Sequence, residues 1–319
     1  MYLVFQPFIG PNKRSFFLLL VTICFFAGCG TPVSDLSKVI GRDDRVALVS
    51  YDYPYNTVGQ VYIGDSACSA FLIGPRHIMT AAHCLDQLGV AKVLEVGGRT
   101  VWLRKLPKRK TDRPAFYPNV VYNEFGAKAG LAAEVYTGAF IEGVTTESNL
   151  AEDWAVVVLD RSYAKQYTPL SMYTEKYEAK IGTELISIGY PEAIAKAKTP
   201  SYQDNCKVTG NRVGKRVLLH NCDTSYGSSG GVLLKKNPKS VRKIVDGVET
   251  ILPRYHVVAV HGGRYFGSNN RAVSLSSLVG FISKKFITPR KGNGPTEPKP
   301  EIPPTKASSS GFSLRVTPQ

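Results

Sequence analysis

The sequence is short of acid. Among its 319 residues, 25 Asp and Glu stand against 40 Lys and Arg, a formal charge of +15. Such a basic surface favours anionic partners: acidic peptides, lipid headgroups, cell-wall polymers or nucleic acid. Charge alone does not choose among them. The apolar run Ser15–Phe26 is too short to span a bilayer comfortably, which takes about 20 residues. There is no C-x-x-C pair, which argues against a zinc site. There is no evident repeat, and no long helical period precedes Leu275. With 43% hydrophobic and 20% charged residues, the composition is globular, with a core for one or two domains. A collagen-like, coiled-coil or mostly disordered chain is excluded.

Residues 1–28 read as a leader outside the fold. Lys13 and Arg14 form a positive n-region and SFFLLLVTICFF suits a secretory h-region. The run ends in Phe26-Ala27-Gly28-Cys29, which resembles a bacterial lipobox, with Phe26 where Leu is usual. The expectation is an exported lipoprotein anchored in the membrane through Cys29; the alternative is an ordinary signal peptide cut near Ala27 or Gly28. Gly30, in place of an Asp after Cys29, points to an outer membrane. Loss of 1–28 removes Lys13, Arg14 and no acid, leaving +13. It also removes Cys24. With Cys29 lipidated, Cys68, Cys84, Cys206 and Cys222 remain, an even set that reads as two disulfides in an exported chain. Three pairings are open. The local one, Cys68–Cys84 with Cys206–Cys222, closes two loops of similar size.

Short runs rich in Val, Ile, Leu and Tyr, punctuated by Gly, Pro, Asn and Asp, predict an all-β fold. They are Gln60–Ile63, Ser69–Ile73, Ala155–Leu159, Glu184–Ile188, Val217–His220, Gly231–Leu234 and His256–Val260. Leu275, Leu278, Val279, Ile282 and Phe286 fall on one face of a C-terminal helix, with Ser274 or Ser276 as its cap. Residues 29–38 read as a short linker or propeptide. Beyond Pro289 the chain is rich in proline and lacks the apolar surface to fold, so 288–319 is expected to be a disordered tail. The basic stretch Arg104–Pro114 reads as a solvated loop. It lacks interleaved aromatics, so nucleic acid is not an expected partner.

Three segments carry chemistry. The first is Thr80-Ala81-Ala82-His83-Cys84, after two strand signals. The second is Glu152-Asp153-Trp154, which sets a carboxylate at the mouth of the apolar strand AVVVL. The third is Gly227-Ser228-Ser229-Gly230-Gly231, whose glycines permit the tight turn that aims amide N–H groups at a developing oxyanion. A serine hydroxyl is a weak nucleophile until a neutral imidazole takes its proton, and a buried carboxylate holds the imidazole in the right tautomer.

From residue 39 to about 287, these segments in the order His, Asp, Ser resemble the chymotrypsin-like serine peptidases. The resemblance implies two packed six-stranded antiparallel β-barrels, over 39–165 and 166–287 with the C-terminal helix. It makes His83 the general base, Asp153 its orienting partner and Ser229 the nucleophile. The N–H groups of Gly227 and Ser229 form the oxyanion hole. No metal or organic cofactor is required. The partners expected are protein or peptide substrates, and the chain is expected to be a monomer.

Within that family the chain is most similar to the bacterial glutamyl endopeptidases. The similarity lies in Val39-Ile40-Gly41-Arg42-Asp43-Asp44-Arg45, Ile188-Gly189-Tyr190-Pro191, Asp223-Thr224, Val260-His261-Gly262-Gly263 and Asn269-Asn270. It implies that Thr224 and His261 bind an acidic P1 side chain, joined by the α-amino group of Val39 after cleavage behind Lys38. Such a cut would also free the protein from an anchor at Cys29. An imidazole titrates near neutral pH, so acid-P1 cleavage is expected to weaken as His261 loses its proton. Ser228 stands where trypsin and chymotrypsin carry the Asp that pairs with their new N-terminus. Asp223 lies at the offset of trypsin's specificity carboxylate, which would favour Lys or Arg at P1. Cys222 sets a different disulfide frame, so Asp223 is read as structural.

Overall fold

The structure, a computed structural model, describes residues 39–170, 172, 179–236, 242–245, 248–251, 255–265, 269–282 and 285–286. The expected leader 1–28, Cys29, the linker through Lys38 and the tail 288–319 lie outside the described residues.

Two antiparallel sheets each close on themselves. In the first, β1 (Val58–Ile63), β2 (Ser66–Gly74), β3 (His77–Thr80), β4 (Ala115–Pro118), β5 (Gly130–Gly138) and β6 (Ala155–Leu159) follow the order β6-β3-β2-β1-β4-β5. The β5–β6 pairing, with Val135 opposite Val157, closes the ring. A hairpin of Val90–Val96 and Arg99–Arg104 extends this sheet from β5. In the second, β7 (Glu184–Gly189), β8 (Ser201–Arg212), β9 (Val217–His220), β10 (Val232–Lys236), β11 (Tyr255–Arg264) and β12 (Asn270–Ser274) run β8-β7-β10-β11-β12-β9. There β8 closes on β9. These are the two six-stranded barrels the resemblance implies. Closure leaves no free sheet edge in either ring.

Every strand read from the sequence is present. The additional barrel strands β4, β5, β8 and β12 carry weaker apolar runs. In β8 (SYQDNCKVTGNR) the buried Ser201, Gln203, Cys206 and Val208 are interrupted by exposed polar residues. Such a strand is hydrophobic on one face only, and its polar members hide the signal. The C-terminal helix is shorter than its pattern. A 3-10 turn, Leu275–Ser277, leads into the one-turn helix Val279–Ile282, and Leu275, Leu278, Val279 and Ile282 are buried. Ser274 occupies the cap position, yet its hydroxyl meets Ser276 Oγ at 2.9 Å and caps no backbone N–H.

The disulfides take the local pairing, Cys68–Cys84 and Cys206–Cys222. Each closes a loop of sequence separation 16, worth about 3 kcal/mol in the chain-entropy account. One expectation is corrected at Arg104. Within the basic stretch Lys105 and residues 108–112 are exposed, whereas both ends, Arg104 and Pro114, are buried. Arg104 itself is buried at 6% exposure, donating to Thr137 Oγ1 at 2.9 Å and the Leu88 carbonyl at 3.0 Å. Its guanidinium also lies over the Trp102 ring. A buried guanidinium needs such partners to offset its desolvation.

Candidate active site

The register of β3 against β6 brings the first two residues together. Thr80 pairs with Ala155 and Met79 with Val156. Three residues beyond Thr80 the chain reaches His83, in the 3-10 turn Ala82–Leu85. Two residues before Ala155 it reaches Asp153. Both therefore emerge at the same end of adjacent strands. The Cys68–Cys84 bond ties the His83 turn back to β2. On the other side, the fully buried Trp154 and Ala155–Val157 hold Asp153 out of water.

Asp153 is completely buried and clamps His83. Both carboxylate oxygens lie 3.0 Å from His83 Nδ1, and Oδ1 also accepts the His83 backbone N–H at 3.1 Å. Oδ2 accepts from Arg271 Nη1 at 2.9 Å. Burial alone would raise the Asp153 pKa, but the His83 and Arg271 charges and hydrogen bonds outweigh it, so the carboxylate sits well below its usual range. For His83, burial pulls downward. The Asp153 carboxylate overrides it by charge and hydrogen bond, and the net direction is up; Arg271 opposes and Glu142 assists.

The Gly227–Gly231 turn is fastened beside this pair by Ser69 of β2. Ser69 N donates to the Ser229 carbonyl at 2.8 Å and the Gly227 carbonyl at 3.1 Å. Its hydroxyl donates to the Gly227 carbonyl at 2.7 Å and accepts from Tyr190 N at 2.8 Å. Gly230 has φ +77°, and a Cβ there would collide with the Ser69 carbonyl and the Thr80 hydroxyl. Only glycine allows the turn to lie so close to the segment leading to His83. The Ser228 hydroxyl is committed within the turn, accepting from Ser225 N at 3.1 Å, while Ser229 is partly exposed. Among the described residues no hydrogen bond joins Ser229 Oγ to His83. Nor do the Gly227 and Ser229 N–H groups donate to any protein acceptor there.

The predicted pocket residues fall into two groups. Thr224 is buried at 1% exposure, and its hydroxyl has no hydrogen-bond partner among the described residues. His261 is buried on β11, and Gly230 N donates to its carbonyl at 2.8 Å, tying it to the Ser229 turn. Its Nδ1 lies 3.2 Å from Nε2 of His220 on β9. His220 Nδ1 accepts from Cys222 N at 3.3 Å, so Nε2 carries the hydrogen and faces His261. Burial pushes His220 down to about 3, which keeps the ring neutral at ordinary pH. His220 gave no signal in the sequence, being the last letter of the strand VLLH.

Val39 belongs to a segment docked through Asp223. Asp223 Oδ1 accepts from Ile40 N at 2.8 Å. Oδ2 accepts from Asp44 N at 3.1 Å and from Gln203 Nε2 at 3.0 Å. Arg45 forks onto Asp43 and donates from Nη1 to Ser225 Oγ at 3.2 Å. Both Asp223 oxygens thus accept from the chain itself, an arrangement that fits a structural role. As to metals, the sulfurs of Cys68 and Cys84 and a nitrogen of His83 lie within 4.8 Å of one another. Those sulfurs are spent in the disulfide, and a thiolate is the form that ligates.

Two closed antiparallel barrels, with an Asp–His pair at a strand end and a glycine-framed Ser turn beside it, define a chymotrypsin-like serine peptidase fold. The trypsin-like peptidase domain family matches residues 68–241. The chain belongs to that family. It is similar to inactive serine protease 35 of Bos taurus, at 37% identity over 60 residues, 18% of this chain and 14% of that protein. It is also similar to glutamyl endopeptidase of Bacillus licheniformis, at 33% over 51 residues, 16% of each. The matches thus span less than one-fifth of either relative's length. Among solved structures, a Glu endopeptidase in complex with MPD superposes with TM-score 0.54 at 21% identity, covering 77% of this chain and 98% of that one. The scabies mite inactivated protease paralogue S-I1 gives 0.50 at 14%, covering 72% and 93%. At these identities the likeness is one of fold.

Proposed function

We propose that the protein is an exported serine endopeptidase that cleaves after acidic residues. The observation that carries the peptidase reading is the buried Asp153 carboxylate clamping His83 Nδ1 and its backbone N–H beside the glycine-framed Ser229 turn. With Nδ1–H donated to Asp153, Nε2 is the basic nitrogen. Nε2 takes the Ser229 hydroxyl proton as Oγ adds to the scissile carbonyl. The N–H groups of Gly227 and Ser229, which have no protein acceptor among the described residues, receive the oxyanion. The tetrahedral adduct collapses, His83 gives its proton to the leaving amine, and an acyl-Ser229 ester remains. A water molecule, deprotonated by His83, then releases the acid and restores the serine.

Two features support an acidic P1. The unpartnered Thr224 hydroxyl offers a buried donor, and a buried donor without a partner is costly unless something fills it. The His220–His261 pair supplies the second. With His220 Nε2–H facing His261 Nδ1, a neutral His261 carries its hydrogen on Nε2 and can donate to a carboxylate. Val39 is proposed as a third contributor once the chain is cut behind Lys38. The two disulfides fit an oxidising compartment. Anchorage at Cys29 in an outer membrane, the domain limits 39–165 and 166–287 and a monomeric state are part of the same proposal.

A catalytically silent binding protein is the second reading, favoured by two similar proteins whose names call them inactive. All three triad residue types are present here, which favours turnover. A peptide panel varying only P1, read by mass spectrometry with Ser229→Ala alongside, tests the proposal. Cleavage after Glu or Asp, lost in the variant, supports it. Cleavage after Lys or Arg keeps the triad and overturns the pocket. Cleavage that survives Ser229→Ala overturns the nucleophile.

A further inference from the structure

Arg271 is a buried cation outside the family triad. It stands on β12 opposite Gly263 of β11, 9% exposed. Its Nη1 reaches Asp153 Oδ2 at 2.9 Å, the oxygen that also lies 3.0 Å from His83 Nδ1. The path exists because residue 262 is glycine: a Cβ there would collide with Arg271 Nη1 and come within 3.0 Å of Asp153 Oδ2. The second barrel thus sends a guanidinium to the carboxylate of the first, through a gap made by one missing side chain.

The charges make this consequential. The ionised groups facing His83 are Asp153 from the turn before β6, Arg271 from β12 and Glu142 from the loop after β5. His220 of β9 contacts the Arg271 backbone and is neutral. Asp153 and His83 alone would be charge-balanced with the imidazole protonated, the form that cannot act as base. With Arg271 present, Asp153 is already balanced, so protonating His83 adds a net positive charge to these three groups, offset only by the exposed Glu142.

We propose that Arg271 is a positioning residue of this centre: its guanidinium, admitted by Gly262, holds the Asp153 carboxylate and balances its charge, and so opposes protonation of His83, the base. The inference rests on the serine-peptidase reading. Removing the cation favours imidazolium, so His83 protonates at higher pH and the acidic limb of kcat/KM moves upward. The expected displacement is about one pH unit, the scale of a neighbouring charge.

The test follows the His83 ring by NMR titration of the purified full chain labelled with 13C-histidine, the resonance being identified by its loss in His83→Ala. Arg271→Gln is expected to raise the His83 midpoint by about one unit, and Arg271→Lys, which keeps the positive charge, to raise it less. Gly262→Ala displaces the guanidinium without removing it and is expected to shift the midpoint in the same direction. If Arg271→Gln does not fold, Gly262→Ala decides alone. An unchanged midpoint in the folded variant overturns the inference. Because titration needs no turnover, it stands apart from the peptidase reading, which fails separately if the wild type does not react at Ser229.

Discussion

Replacing Thr224 by Val separates the pocket's function from its stability. Valine is close to threonine in shape and exchanges a hydroxyl for a methyl. The Thr224 hydroxyl is buried at 1% exposure without a partner among the described residues. Leaving such a group unsatisfied costs about 1–3 kcal/mol, so Thr224→Val is expected to stabilise the free protein by about 1 kcal/mol. In the Michaelis complex the hydroxyl would instead meet a carboxylate, a hydrogen bond worth about 1.5–3 kcal/mol. Its loss lowers kcat/KM for Glu-P1 peptides roughly 10- to 150-fold, with little effect on Ala-P1 peptides. Urea unfolding and matched Glu-P1 and Ala-P1 substrates measure both quantities on the same preparations. A destabilised variant that still cleaves Glu-P1 peptides at the wild-type rate would refute the reasoning, since the hydroxyl would then be serving the fold.

The remaining predictions concern buried acids and bases. His220 is held down to about 3 by burial, whereas in the unfolded chain it protonates near 6.5. Between those values the unfolded state binds the additional proton, so stability falls as pH falls through that window, by about 1.4 kcal/mol per unit. Denaturant midpoints from pH 7 to 4 should show this slope, and His220→Phe should flatten it. Asp223→Ala removes the acceptor for Ile40 N, Asp44 N and Gln203 Nε2. It is expected to cost about 2–4 kcal/mol in unfolding experiments while leaving the preference for acidic over basic P1 intact. A switch away from acidic P1 would show that Asp223 acts in specificity.

The parts of the fold legible in the sequence were those with local signatures. Ala155–Leu159 is apolar throughout and Val217–His220 is apolar up to its last residue, so their strands coincide with the runs. The triad segments were legible because TAAHC, EDWA and GSSGG each combine a reactive residue with the small or apolar neighbours its position needs. The one-faced strands, such as β8, were obscured by their polar members. Arg271 and His220 were illegible for a different reason. Each is a polar residue in a short strand, and its partner lies far along the chain: Asp153 for Arg271 at a separation of 118, His261 for His220 at 41. Closing the barrels creates those pairings. The glycine at 262 that admits Arg271 reads in sequence only as part of a Gly-Gly pair.

Reaction with a fluorophosphonate, followed by peptide mapping of the adduct, tests most directly the claim that Asp153, His83 and the Gly227–Gly231 turn make a working nucleophile. A single adduct on Ser229, absent in His83→Ala and formed faster as pH rises through the His83 titration, is the predicted result. An adduct on Ser228, or none on a folded chain with both disulfides formed, would contradict it.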